Sequence, residues 1–86
     1  MDLLQRIEEN RMDAVKHLLE IKCIRNPEAI QRKKDGLYLH TNKRGVTKVY
    51  RVYDTFQQYR VSKDYDGGKL HRVNGFFVIE NPVEQS

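Results

Sequence analysis

The change of residue character at Gly36 constrains this chain more than any other feature. Before it, apolar residues return at helical steps. After it, β-branched and aromatic residues alternate with cations between turn residues. In the first part Leu4, Ile7, Ala14, Val15 and Leu18 form one stripe flanked by Leu3, Met12 and Leu19, with charged residues around the rest. That pattern predicts an amphipathic helix over residues 2–22. Arg11 interrupts the stripe, and Asn10 followed by Asp13 offers a second helix start, so one helix or a pair satisfies the pattern; one continuous helix is the preferred reading. Asn26-Pro27 then reads as the cap and first residue of a short helix ending in Lys33 and Lys34, with Asp35-Gly36 as its stop.

Beyond Gly36 the expected strands are residues 37–40, 46–53, 56–62, 69–73 and 76–80. Turns fall at 41–45, Asp54-Thr55 and 63–68, and Asn74-Gly75 is a strong two-residue hairpin signal. Asn81-Pro82 ends the sheet and residues 81–86 form a frayed tail. Val46, Val49, Tyr50, Tyr53 and Phe56 also fit helical spacing, but Val and Tyr dominate the run and turn residues bound it. The fold class is therefore α+β: a helix or helix pair, residues 1–36, packed on an antiparallel meander of four to five strands, residues 37–80.

At 86 residues the chain holds one domain with a modest core, which homodimerisation would reinforce. A single cysteine, Cys23, excludes an internal disulfide framework and fits a reducing, cytoplasmic setting. The opening MDLLQRIEEN carries acids and no long apolar run, unlike a signal peptide or a membrane span. The charge is unevenly placed. Residues 1–30 hold five Lys/Arg against six Asp/Glu, whereas residues 31–79 hold eleven against four, a net of +7. Such a block repels itself unless something negative is near.

Catalytic and metal signatures are weak. His17, His40 and His71 form no close pair, no HExxH or CxxC occurs, and Gly67-Gly68 lacks the lysine and hydroxyl of a phosphate loop. No cofactor and no metal is expected. A metal-independent RNase needs a base, an acid and a cation beside the scissile phosphate, and His40, His71, Tyr53, Lys48 and Arg51 supply those residue types. The stronger pattern is polyanion binding by Lys33, Lys34, Lys43, Arg44, Lys48, Arg51, Arg60, Lys63, Lys69 and Arg72. Arg51 and Arg60 come first, because a guanidinium matches phosphate oxygens. RNA is favoured over DNA because no recognition-helix pattern appears. Tyr50, Tyr53 and Tyr59 could stack on unpaired bases or fill the core. Strand parity puts Val46, Lys48, Tyr50 and Val52 on one face, and Thr47, Val49, Arg51 and Tyr53 on the other. Neither face is purely apolar.

In its size, its helical start and its Lys/Arg/Tyr-rich strands from Thr41 to Arg72, the chain resembles the small accessory proteins that phages encode against host defences. Among them it is most similar to RNA-binding inhibitors of toxin–antitoxin ribonucleases. The resemblance implies a non-catalytic protein that binds RNA and a host ribonuclease toxin together, by occupancy. A protein-binding inhibitor or adaptor that uses no nucleic acid is the alternative, and the small RNase is the second.

Overall fold

A computed structural model describes residues 2–22, 24, 30–34, 36–65 and 67–82. A long helix, α1 (Leu3–Ile21), is followed by strands β1 (Ile30–Lys34), β2 (Leu37–Thr41) and β3 (Thr47–Tyr53). A short helix, α2 (Phe56–Arg60), and strands β4 (Lys69–Val73) and β5 (Phe76–Glu80) complete the fold. The strands form one antiparallel sheet in the order β1-β2-β3-β5-β4. The α+β architecture matches the sequence reading.

Helix α1 is continuous. Asp2 caps it by accepting from the Gln5 amide at 2.8 Å, while the Gln5 side chain reaches back to the Asp2 amide. Arg11 does not break the stripe, because its guanidinium leaves the helix for Asp54. Nε and Nη2 donate to the two carboxylate oxygens at 2.8 and 2.6 Å, with Glu8 accepting from Nη1 at 3.2 Å. These bonds raise the Arg11 pKa against the lowering effect of burial. Ala14, Val15, Leu18 and Leu19 pack against Tyr38, Tyr50, Val52, Val73 and Val78 of the sheet to make the main core. The first turns of α1 overhang that core, leaving Leu3 and Leu4 exposed.

Two elements differ from expectation. Residues 30–34, read as the end of a helix, are a strand: Ile30, Gln31 and Arg32 pair with His40, Leu39 and Tyr38, and Gly36 (φ 71°) turns the chain into β2. Gln, Arg and Lys favour a helix locally, but pairing with β2 outweighs that small preference. Asn26-Pro27, Asp35, Cys23 and residues 83–86 lie outside the described residues. Residues 56–62, read as a strand, instead begin with α2. The Thr55 hydroxyl accepts from the Gln58 amide at 3.2 Å, and the Gln58 side chain accepts from the Asp54 amide at 3.0 Å. Thr55-x-x-Gln58 is a capping pattern, and it outweighs the strand preference of Phe56, Tyr59 and Val61.

The sheet also departs from a simple meander at one place, because β5 rather than β4 lies beside β3. Asn74 (φ 52°) and Gly75 (φ 83°) make the β4–β5 hairpin turn. The more apolar β5, with Val78, Ile79 and Glu80 buried, takes the interior, and β4, bearing Lys69 and Arg72, takes the edge. The connection from β3 carries α2 and residues 61–65 across the face opposite α1. Both faces of β3 are thereby covered: Tyr50 and Val52 are buried under α1, and Arg51 and Tyr53 are half-buried on the other side. This explains why neither parity class of the strand is purely apolar.

Candidate nucleic-acid interface

The strand order separates the ten cations singled out in the sequence. Lys33 and Lys34 lie on β1 at one sheet edge, and Lys69 and Arg72 lie on β4 at the other. With strands about 4.8 Å apart, the two edges are roughly 19 Å from each other, so these two pairs of cations lie at opposite borders of the sheet. Lys43 and Arg44 occupy the β2–β3 turn, which Asn42 closes by accepting from the amides of Arg44 and Val46 at 2.8 and 3.0 Å. Arg60 and Lys63 are exposed on α2 and the loop after it.

Lys48 and Arg51 are placed differently from the expectation. Lys48 lies on the α1 side, 3.5 Å from Glu80. Arg51 lies on the opposite side and donates from Nη1 to the fully buried Asp64 at 3.1 Å. Arg51 is therefore an interior counter-charge and leaves the set of surface phosphate contacts. Lys43, Arg44, Arg60, Lys69 and Arg72 make no ion pair among the described residues.

Beside Arg60 and Arg72 lies a cluster of rings from α2, residues 61–68 and the sheet. Tyr59 is buried at its centre, parallel to Phe77 (6.4 Å between centroids, 4° between planes), and donates its hydroxyl to the Tyr65 carbonyl at 2.8 Å. Phe56 packs on Phe77 at 5.7 Å and on Tyr65 at 6.5 Å. The Arg72 guanidinium sits 5.4 Å from the Phe77 centroid. Beneath, Asp64 holds the loop: it accepts from Arg51 and from the Tyr53 hydroxyl at 2.5 Å, and its amide donates to Ser62 at 3.2 Å. Burial and the Asp64 bond raise the Tyr53 pKa. Outermost are Phe56, 48% exposed, and Tyr65, 43% exposed. Of the tyrosines read from sequence as possible stacking groups, Tyr50 and Tyr59 are core residues. Phe56 and Tyr65 are the rings that face solvent, and the Thr55-x-x-Gln58 cap was the signal for their placement.

The five residues suited to acid–base chemistry divide between the two faces of the sheet. Tyr53 and Arg51 lie on one face of the sheet; His40, Lys48 and His71 belong to the other. On that second face Glu80, which no motif marks, gathers Lys22 at 2.5 Å, Lys48 at 3.5 Å and His71 at 3.3 Å; the His71 contact lacks hydrogen-bond geometry. Burial works to raise the Glu80 pKa, but the Lys22 bond and the charges of Lys22 and Lys48 prevail and hold it below the ordinary 4.5. Burial, with the same two lysines, lowers the His40 pKa from 6.5. No group of three or more His, Cys, Asp or Glu among the described residues is placed to hold a metal ion. No helix among them is long and apolar enough to cross a membrane.

Both depressed values set the pH response. The unfolded chain takes up a proton on His40 that the folded chain refuses, so that contribution is complete above pH 6.5 and declines as the pH falls below it. The Glu80 contribution holds above 4.5 and is lost on further acidification. Unfolding free energy measured in urea should therefore fall in two successive stages, and His40→Gln should remove only the first. A flat response between these two ordinary values would refute the role given to His40.

Comparison of the chain with protein-family models, with curated proteins and with solved structures returned no match. The functional reading therefore rests on the surface itself: five cations without a carboxylate partner among the described residues, and exposed rings on a packed underlayer.

Proposed function

We propose that this protein binds RNA by occupancy, without turnover, through its exposed cations. The observation that carries the reading is the set Lys43, Arg44, Arg60, Lys69 and Arg72, which has no ion-pair partner among the described residues and belongs to a segment of net charge +7. Uncompensated cations on a small domain are favoured when a polyanion neutralises them. Because the two edges of the sheet are apart, the RNA engages the α2–β4 side, with the β2–β3 turn and β1 as separate contacts. By its resemblance to phage counter-defence proteins, it would act in the cytoplasm, as a homodimer, by occluding a host ribonuclease.

Association with a protein has its own support on a different surface. The overhanging start of α1 exposes Leu3 and Leu4 beside a groove of about 630 Å3 lined by Leu4, Glu8, Glu9, Arg11 and Arg32. A dimer contact or a protein target would cover it.

The test is binding of labelled RNA between about 50 and 200 mM salt. Affinity should fall steeply with salt, and R60E/R72E should weaken binding while flattening the log–log slope by about 1.4. The labelled RNA should be recovered intact. Salt-independent binding, or fragments of the RNA, would overturn the proposal.

A further inference from the structure

Resting on the RNA reading, we infer that the α2–β4 surface is a site for unpaired nucleotides, with bases stacked on Phe56 and Tyr65 and phosphates held by Arg60 and Arg72. On α2, Phe56 and Arg60 are four residues apart and so share one face. Across the sheet Arg72 pairs with Phe77, and Phe77 packs on Phe56, so Arg72 lies one ring away from the exposed Phe56. Tyr65 meets Phe56 edge-on, at 76° between planes. Two rings so inclined offer faces in different directions, which suits bases splayed from one another rather than bases stacked within a duplex.

The underlayer supports the same conclusion. Tyr59 and Phe77 lie parallel beneath, and the buried Asp64 bonds to two different strand side chains, so the rings are held before any ligand arrives. A prearranged aromatic face loses little entropy on stacking. Charge selects the occupant. Around these rings the exposed charged groups among the described residues are cations: Arg60, Lys63 and Arg72. Asp64, the carboxylate beneath them, is buried against Arg51. An aromatic surface edged by positive charge complements a strand with free base faces and a phosphate backbone. An A-form duplex exposes phosphates and ribose hydroxyls but hides its base faces, leaving Phe56 and Tyr65 nothing to stack on.

The experiment compares an oligouridylate of about ten nucleotides with an RNA duplex of the same length, by fluorescence anisotropy. Proteins tested are the wild type, Phe56→Leu, Tyr65→Leu and R60E/R72E, each checked for folding by circular dichroism and thermal melting. Leucine keeps apolar bulk and discards the ring. The expected result is tighter binding of the single strand, weakened by about 5- to 150-fold for each ring removed, with the salt slope unchanged. R60E/R72E should instead reduce the salt slope. Leucine variants that bind the single strand as the wild type does, or a duplex bound equally well, would overturn the stacking site while leaving RNA binding intact. Absence of salt-dependent binding to either RNA would remove both readings and favour a protein ligand.

Discussion

Asp64→Ala should lower the unfolding free energy by about 3–5 kcal/mol, the range for breaking one side of a buried ion pair. The carboxylate is fully buried, and its loss removes the acceptor 3.1 Å from Nη1 of the Arg51 guanidinium, whose side chain is 20% exposed. The Tyr53 hydroxyl loses its acceptor at the same time. Urea denaturation of the variant measures the loss. The double variant Arg51→Met, Asp64→Ala separates charge from packing: if the charge on Arg51 dominates, the double variant recovers most of the stability. If it is no more stable than Asp64→Ala, the loop owes its place to packing. Either single change should also loosen the ring cluster, because Asp64 anchors the segment that carries Tyr65.

The second large effect is expected at Gly68, where the same segment meets β5. Its φ is +70°, and an added Cβ would lie 2.7 Å from Cγ2 of the buried Ile79 and 3.0 Å from the carbonyl oxygens of Glu80 and Asn81. The left-handed backbone costs a non-glycine residue about 1–2 kcal/mol, and crowding of a packed interior adds about 1–3 kcal/mol. Gly68→Ala should therefore destabilise by about 2–5 kcal/mol. Gly45 is the control: it has φ +83° but nothing within 4 Å of the added carbon. Gly45→Ala should show the backbone cost alone, about 1–2 kcal/mol. Equal losses at the two positions in thermal or urea unfolding would mean that the contact with Ile79 contributes nothing.

Much of the fold was legible because several signals are local. The apolar stripe from Leu4 to Leu18 specified α1, and Asn74-Gly75 specified a hairpin whose strands fall at Lys69–Val73 and Phe76–Glu80. Ile30–Lys34 was not legible, since its strand character comes from pairing with β2, which the helix-favouring residues Gln31 to Lys34 do not encode. Residues 56–60 were misread for a different reason: the aromatic content of Phe56-Gln57-Gln58-Tyr59 favours a strand, while one hydroxyl at Thr55 decides for a helix. For the site, the sequence grouped the cations into one class without their arrangement. Arg51 and Lys48 have carboxylate partners 13 and 32 residues away, and that pairing depends on sheet order. Which rings face solvent followed from α2, so it was lost with that helix.

The position of β5 has a consequence for how the molecule is made. During synthesis β3 leaves the ribosome well before residues 76–80, yet its second neighbour is β5. A nascent chain that has reached only β4 therefore carries β3 with a row of unpaired amides and carbonyls, the kind of edge that seeds aggregation. The sheet closes only when β5 pairs with β3 and carries β4 in as its hairpin partner, so a stop codon a few residues upstream of Phe76 would take a neighbour from both strands rather than merely shorten one end.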